Sequence, residues 1–159
     1  MKKTADDVKK EQSLSFMYFN RFLMLRYFTA FMFFTNLYWF GMALTCRSWS
    51  AVLPFLLMIG GIAVTLELTS KLHTKKSSVP VTKYYYLIQI LVNFAVILIS
   101  LTPAYPQFLP FFNGRGQLFV IAICLTGILM SVMVLFKIRK ITADQDRQLK
   151  VIKMFEKTN

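Results

Sequence analysis

Residue types that carry out most enzyme chemistry are scarce in this sequence. It has seven acidic residues, one histidine and two cysteines among 159 residues. Every acidic residue except Glu67 lies near one end of the chain, and His73 lies among lysines with no second metal-binding residue at a useful spacing. Because catalysis and metal binding need such groups close together, we predict that the protein is not an enzyme and holds no metal or cofactor.

Charged residues of either sign are also few, at 16% of the chain, whereas hydrophobic residues make up 56%. The apolar residues are gathered in four stretches, each close to the roughly 20 residues that cross a bilayer core. These stretches are 27–45, 49–68, 84–102 and 117–136. None shows the alternation of polar and apolar residues that is typical of transmembrane barrel strands. The sequence therefore predicts an all-α integral membrane protein, with a bundle of four transmembrane helices over residues 27–136.

Lysine and arginine are distributed unevenly among the segments that connect these stretches. Seventeen of the 19 lie before residue 27, between the second and third stretches, or after residue 136. The other two connections hold only Arg47 and Arg115. Because positively charged loops stay on the cytoplasmic side of a membrane, we predict that both termini are cytoplasmic.

These basic residues, which dominate the net charge of +12, lie directly beside the predicted spans. Anionic headgroups attract each Lys or Arg near a membrane surface by about 1 kcal/mol. We therefore predict contacts with anionic lipids at Arg21, Arg26, Lys71, Lys75, Lys76, Lys137, Arg139 and Lys140. A nucleic-acid partner is not predicted, because it would require a basic face on a soluble domain.

The two terminal segments have amphipathic patterns. Residues 1–26 are basic and become amphipathic from Ser13, which predicts a segment lying along the inner interface before the first span. Residues 137–159 carry apolar side chains at helical spacing, which predicts an amphipathic cytoplasmic helix. That helix would lie on the membrane or bind a cytoplasmic partner.

Small residues in the second and fourth stretches predict sites of close helix packing. Their spacing resembles the small-xxx-small pattern that lets two backbones approach each other. The residues concerned are Gly60, Gly61, Thr65, Gly127 and Ser131. The spacing fits packing within one bundle, a homodimer or contact with another membrane subunit.

The connection between the third and fourth stretches, residues 103–116, is irregular and unusually apolar. Its three prolines prevent a continuous helix. Its large apolar side chains would be costly to leave in water, so we expect the loop to enter the outer interface or to cover the bundle. These side chains are Tyr105, Phe108, Phe111 and Phe112, and they offer a candidate external recognition surface.

Three polar residues within the stretches form a candidate intramembrane site. Gln89 and Asn93 are one helical turn apart on one face, and Glu67 lies near the inner end of the second stretch. If that face meets Glu67, the carboxylate could carry a proton or bind a cation. The alternative is that Glu67 reaches the interface and pairs with Lys71 or with Arg26.

The main hypothesis from the sequence is a non-catalytic accessory, scaffold or regulatory subunit that binds a larger membrane protein. A second hypothesis is a small oligomeric transporter or channel that uses Glu67, Gln89 and Asn93. A third is an envelope immunity or stress-protection protein that acts through the loop at 103–116. The expected location is the cell membrane, as a multi-pass protein. We expect a bacterial plasma membrane, because the chain has lysine-rich inner segments and no Asn-x-Ser/Thr sequence.

Overall fold

The computed structural model describes residues 5–74, 78–112, 116–145, 149–152 and 154. Across these residues the chain consists of helices and turns, without a strand. A short 3-10 turn, Trp49–Ala51, precedes the second helix. The helices are α1 (Ala5–Thr45), α2 (Val52–Thr74), α3 (Pro80–Ser100), α4 (Tyr105–Phe108) and α5 (Gln117–Thr142). The prediction of an all-α protein is confirmed.

In the part of the chain that the structure describes, three segments are long and apolar enough to cross a membrane: Trp49–Lys71, Pro80–Ser100 and Gln117–Thr142. They correspond to the second, third and fourth apolar stretches of the sequence, and they are compatible with a multi-pass membrane protein. The helix α1 is not among them, although it contains the stretch 27–45. Threonine, asparagine, tyrosine and tryptophan side chains lower the hydropathy of that stretch.

The helix α1 runs without a break for 41 residues. At a rise of about 1.5 Å per residue, that is a length of about 60 Å. The sequence predicts a separate lead-in before residue 27, whereas the structure joins residues 5–26 to the first apolar stretch in one helix. The segment has no proline, and Gly41 is its only glycine, so nothing ends the helix at residue 26.

The last long helix also extends beyond its predicted span. α5 continues for six residues past residue 136 and ends where Ala143 donates its N–H to the carbonyl of Arg139. Asp144 then adopts a left-handed conformation, with φ of 51°. Residues 149–152 are helical and bury Leu149 and Ile152. Residues 146–148, 153 and 155–159 of the predicted tail helix lie outside the described residues.

The long helices pack chiefly as two antiparallel pairs. α1 packs on α2 through the tight connection at residues 46–51, and α3 packs on α5. Contacts between α2 and α3 join the two pairs, and α1 touches α5 less extensively. The result is a bundle of four long helices in the described part of the chain.

The two ends of the bundle differ in charge. At one end, hydrogen bonds join segments of all four long helices: residues 21–26 of α1, 67–68 of α2, 81–82 of α3 and Ile141 of α5. We call this the basic end. Basic side chains lie beside each of these segments. The opposite end, which we call the loop end, contains the connection 46–51 and residues 101–112. A separate buried apolar cluster lies towards each end.

Candidate functional site

The carboxylate of Glu67 caps the N-terminus of α3. Val81 donates its backbone N–H to Oε1 at 3.1 Å. Thr82 donates both its backbone N–H and its hydroxyl to Oε2, each at 2.7 Å. The first backbone N–H groups of a helix have no partner within the helix, and the positive end of the helix dipole favours a carboxylate. Glu67 of α2 thus supplies a cap that α3 lacks at its own N-cap residue, Val79.

This cap separates Glu67 from the other two residues of the predicted polar site. Glu67 bonds at the level of Thr82, whereas Gln89 is seven residues and Asn93 eleven residues further along α3. At about 1.5 Å per residue, these positions are roughly 10 and 16 Å away along the helix. The structure brings Gln89 and Asn93 together on one face, and it places Glu67 at the helix end instead.

Gln89 and Asn93 belong to a longer row of inward-facing polar residues on α3. Its first four members are three or four residues apart and its last lies seven residues, or about two turns, further on, so all of them lie on one face. We call it the α3 polar stripe, and its members are Thr82, Tyr86, Gln89, Asn93 and Ser100. Only Gln89 and Asn93 are predicted from the sequence. Helical spacing is the signal that could have found the others, because Thr82 and Tyr86 precede Gln89 by seven and three residues and Ser100 follows Asn93 by seven.

The members of the α3 polar stripe differ in how they are satisfied. The Tyr86 hydroxyl lies 3.0 Å from the hydroxyl of Thr29 on α1, and Ser100 donates to the Val96 carbonyl at 2.8 Å. Gln89 Oε1 and Asn93 Nδ2 are buried without a hydrogen-bond partner among the described residues. Burying a polar atom without a partner costs free energy, so the positions of these two amides are unfavourable for the bundle on their own.

The glycines predicted to mediate packing lie against side chains of neighbouring helices in the same chain. The ring of Tyr85 lies over Gly60, where an added Cβ would be 2.8 Å from Cδ2. An added Cβ at Gly127 would be 2.6 Å from Nδ2 of Asn93. Gly61 is buried beside Phe33 of α1. These glycines let the long helices approach one another within the bundle.

The two hydroxyl residues of the predicted packing set lie in different surroundings. Ser131 is buried and donates to the carbonyl of Gly127 at 2.8 Å. Thr65 is exposed and donates to the carbonyl of Gly61 at 2.9 Å. Both hydroxyls are satisfied within their own helix, as serine and threonine commonly are in apolar helices.

Arg21, predicted to contact lipid headgroups, is almost completely buried, with 1% of its surface exposed. It donates to the carbonyl of Ile141 at 3.0 Å and to Oδ1 of Asp144 at 3.1 Å. These groups lie at the C-terminus of α5, where the helix dipole favours a cation. Arg21 therefore fastens the long helix α1 to the end of α5.

Arg26 joins α1 to α2 in a similar way. It donates to the carbonyl of Leu68 at 3.0 Å, and its guanidinium lies 4.8 Å from the centre of the Phe19 ring. Among the other predicted lipid contacts, Arg139 and Lys140 are exposed, whereas Lys71 and Lys137 are half-buried. Lys75 and Lys76 lie outside the described residues.

The connection between α3 and α5 folds over the loop end of the bundle. Tyr105 and Phe108, on the short helix α4, are buried, and Phe111 and Phe112 are partly buried. The Phe108 ring lies between two tryptophans, at centroid distances of 6.2 Å from Trp39 and 5.7 Å from Trp49. Two of the four side chains proposed as an external surface are thus used inside the protein. Residues 113–115 lie outside the described residues.

A row of exposed aromatic side chains runs along α1 and was not predicted as a site. We call it the α1 aromatic stripe, and its members are Tyr27, Phe31, Phe34 and Tyr38. They are spaced by four, three and four residues, so they lie on one helix face. Each is at least half exposed, and Tyr38 reaches 69%. The sequence contains this spacing, but the many other aromatic residues of α1 make it hard to recognise there.

A shallow groove borders this stripe. It has a volume of about 240 Å³ and lies between α1 and α2, with Ala30, Phe33 and Phe34 on one side and Ile62, Thr65 and Leu66 on the other. Almost all of its lining is apolar. If another helix packed against α1, one of its side chains would fit between the two sides of this groove.

Side chains that could bind a metal ion are not clustered in the part of the chain that the structure describes. There, no three His, Cys, Asp or Glu residues are placed to hold a metal ion. Cys46 is exposed near the loop end, and Cys124 is buried in α5. No protein-family model, curated protein or solved structure matches this chain.

Proposed function

We propose that the chain is a non-catalytic subunit of the cell membrane that binds a transmembrane helix of a larger membrane protein. In this proposal it crosses the membrane four times, with α1 as the first span and both termini in the cytoplasm. The observation that carries the proposal is the α1 aromatic stripe, which is unpacked in the bundle and bordered by a groove.

The position of Tyr38 favours a protein partner over lipid for this face. It lies seven residues before the end of α1, which is roughly 10 Å below that end at about 1.5 Å per residue. Tyrosine prefers the membrane interface, and a hydroxyl inside the hydrocarbon region gains from a hydrogen-bond partner. A facing helix would supply both an acceptor for the hydroxyl and apolar side chains for the stripe.

The hydrogen bonds of Glu67 favour a structural role for this carboxylate over a role in transport. It is the only acidic residue within the apolar stretches, and both of its oxygens accept hydrogen bonds from the N-terminus of α3. A transporter that cycles a proton or cation through Glu67 would have to break this cap in each cycle. A structural role for the carboxylate requires no such change.

The proposed partner contact can be tested by photo-crosslinking in native membranes. A benzophenone amino acid at position 34, on the α1 aromatic stripe, should give one discrete adduct with a larger membrane protein. The same probe at position 91 of α3, where Leu91 has similar exposure, should give none. Equal labelling from both positions, or no adduct from position 34, would refute the proposal. An adduct of two copies of this chain would replace the larger partner with a homo-oligomer.

The proposed orientation can be tested with the native cysteines. A membrane-impermeant maleimide should label the exposed Cys46 in intact cells. In a Cys46→Ser background, Ser78→Cys in the connection before α3 should be labelled only after the cells are permeabilised. Labelling of position 78 in intact cells would contradict the orientation.

A second candidate function is transport through the bundle, supported by Gln89 Oε1 and Asn93 Nδ2, which have no partners among the described residues. Such atoms could bind a small polar substrate or a cation. Purified protein in proteoliposomes should then show a flux of a cation or of a small polar solute. Gln89→Leu and Asn93→Leu should abolish this flux while the protein still assembles. Absence of flux from the unmodified protein would rule this candidate out.

A further inference from the structure

A second groove lies between α3 and α5, near the basic end of the bundle. It has a volume of about 520 Å³, within the range of roughly 300–1,000 Å³ that is usual for small-molecule sites. Its walls are mostly apolar, with Leu87 on α3 and Val132, Leu135 and Phe136 on α5. Leu87 and Phe136 are both exposed, so the groove opens towards the surroundings of the bundle.

Two cations mark one end of this groove. Lys83 lines it from α3 and Arg139 lines it from α5, and no acidic residue that the structure describes contributes to the lining. Both residues are exposed, and neither forms an ion pair with a residue that the structure describes. Asp144, the acidic residue nearest in sequence to Arg139, bonds to Arg21 instead. Among the described residues, no acidic side chain forms an ion pair with the two cations at this end of the groove.

The apolar part of the groove extends from these cations towards the middle of the bundle. Val132 lies seven residues before Arg139 on α5, so the apolar wall is roughly 10 Å long at about 1.5 Å per residue. This is comparable with one leaflet of a hydrocarbon core that is about 30 Å thick. Charge at the interface and apolar surface below it match the two parts of a phospholipid.

We propose that this groove binds one anionic phospholipid from the leaflet at the basic end. An acyl chain would lie along Leu87, Val132 and Phe136, with the phosphate between Lys83 and Arg139. A guanidinium donates two parallel hydrogen bonds to phosphate oxygens, and an ammonium adds a point charge from the other side. The site requires that the bundle lie in a membrane, but it does not depend on a protein partner for α1.

Native mass spectrometry of the purified protein tests this site. With excess phosphatidylglycerol the protein should retain one lipid molecule, and phosphatidylcholine should be retained at least tenfold less. The double variant Lys83→Gln/Arg139→Gln should retain at least tenfold less phosphatidylglycerol than the unmodified protein. The matched variant Arg47→Gln/Lys150→Gln removes the same charge at exposed positions away from the groove lining and should retain it. Equal loss from both variants, or equal binding of the two lipids, would overturn the proposal.

A third variant separates the apolar wall from the charges. Val132→Trp fills the groove while keeping Lys83 and Arg139, and it should also abolish retention of the lipid. Circular dichroism checks that its helices form. Retained lipid in a folded Val132→Trp protein would overturn the proposal. So would displacement of the lipid by glycerol phosphate, which would identify a phosphate site only, or a stable dimer that excludes the lipid.

Discussion

Glu67 of α2 and Thr82 of α3 are joined by two hydrogen bonds of 2.7 Å, one from the backbone N–H and one from the hydroxyl of Thr82. The connection that separates them in sequence includes residues 75–77, which lie outside the described part of the chain. The pair fixes the end of α2 against the start of α3. The stability of this junction should therefore depend on one carboxylate.

Replacing Glu67 with alanine should destabilise the bundle by about 1–3 kcal/mol, because backbone N–H groups at the start of α3 lose their acceptors. Glu67→Gln keeps one acceptor and should have a smaller effect. Thermal unfolding in mild detergent measures both changes. Thr69→Ala is the matched control, since its exposed hydroxyl bonds to the carbonyl of Thr65 in its own helix. Similar losses from Glu67→Ala and Thr69→Ala would show that the cap has little effect on stability.

The positions of the helices could be predicted from the sequence because they depend on local composition. A run of about 20 apolar residues specifies a helix that can span a membrane whatever its neighbours are. Three of the four predicted stretches agree with segments that the structure identifies as long and apolar enough to span. The continuity of α1 was missed because an amphipathic lead-in and an apolar span look different in sequence, although no residue between them breaks a helix.

The contacts of the polar residues could not be predicted in the same way. Arg21 bonds to Ile141, which is 120 residues away in sequence, and Glu67 bonds to the start of α3 and not to Gln89. Each pairing depends on the register and tilt of two packed helices, which composition does not specify. The face on which Gln89 and Asn93 lie was predictable, because helical periodicity alone determines it.

The bond between Arg21 and the end of α5 should be important for stability. Arg21→Ala removes the donor to the Ile141 carbonyl, so we expect a loss of about 2 kcal/mol in the free energy of unfolding. Asp144→Ala should cost less, because the Asp144 side chain is 52% exposed and water screens the ion pair. Thermal unfolding of the two single variants gives this ranking. A larger effect of Asp144→Ala would contradict it.

A side chain at position 127 of α5 should displace the Asn93 amide, which lies against Gly127. Gly127→Ala should destabilise the bundle by about 1–3 kcal/mol, because its methyl group overlaps the Asn93 amide. Gly41→Ala is the control, since an added Cβ there meets no atom within 4 Å. Asn93→Ser should partly rescue the Gly127→Ala variant in thermal unfolding. Equal effects at positions 41 and 127 would show that the two helices adjust without cost.

Phe108 lies between Trp39 and Trp49, which are the two tryptophans of the chain. Phe108→Ala should therefore change the tryptophan fluorescence and lower the free energy of unfolding by about 3 kcal/mol, because a buried ring is lost. Leu118→Ala is the control, since Leu118 is 78% exposed at the same end of the bundle. Fluorescence spectra and thermal unfolding of the two variants test this relationship. If Phe108→Ala leaves the fluorescence unchanged, the loop does not cover the loop end of the bundle in solution.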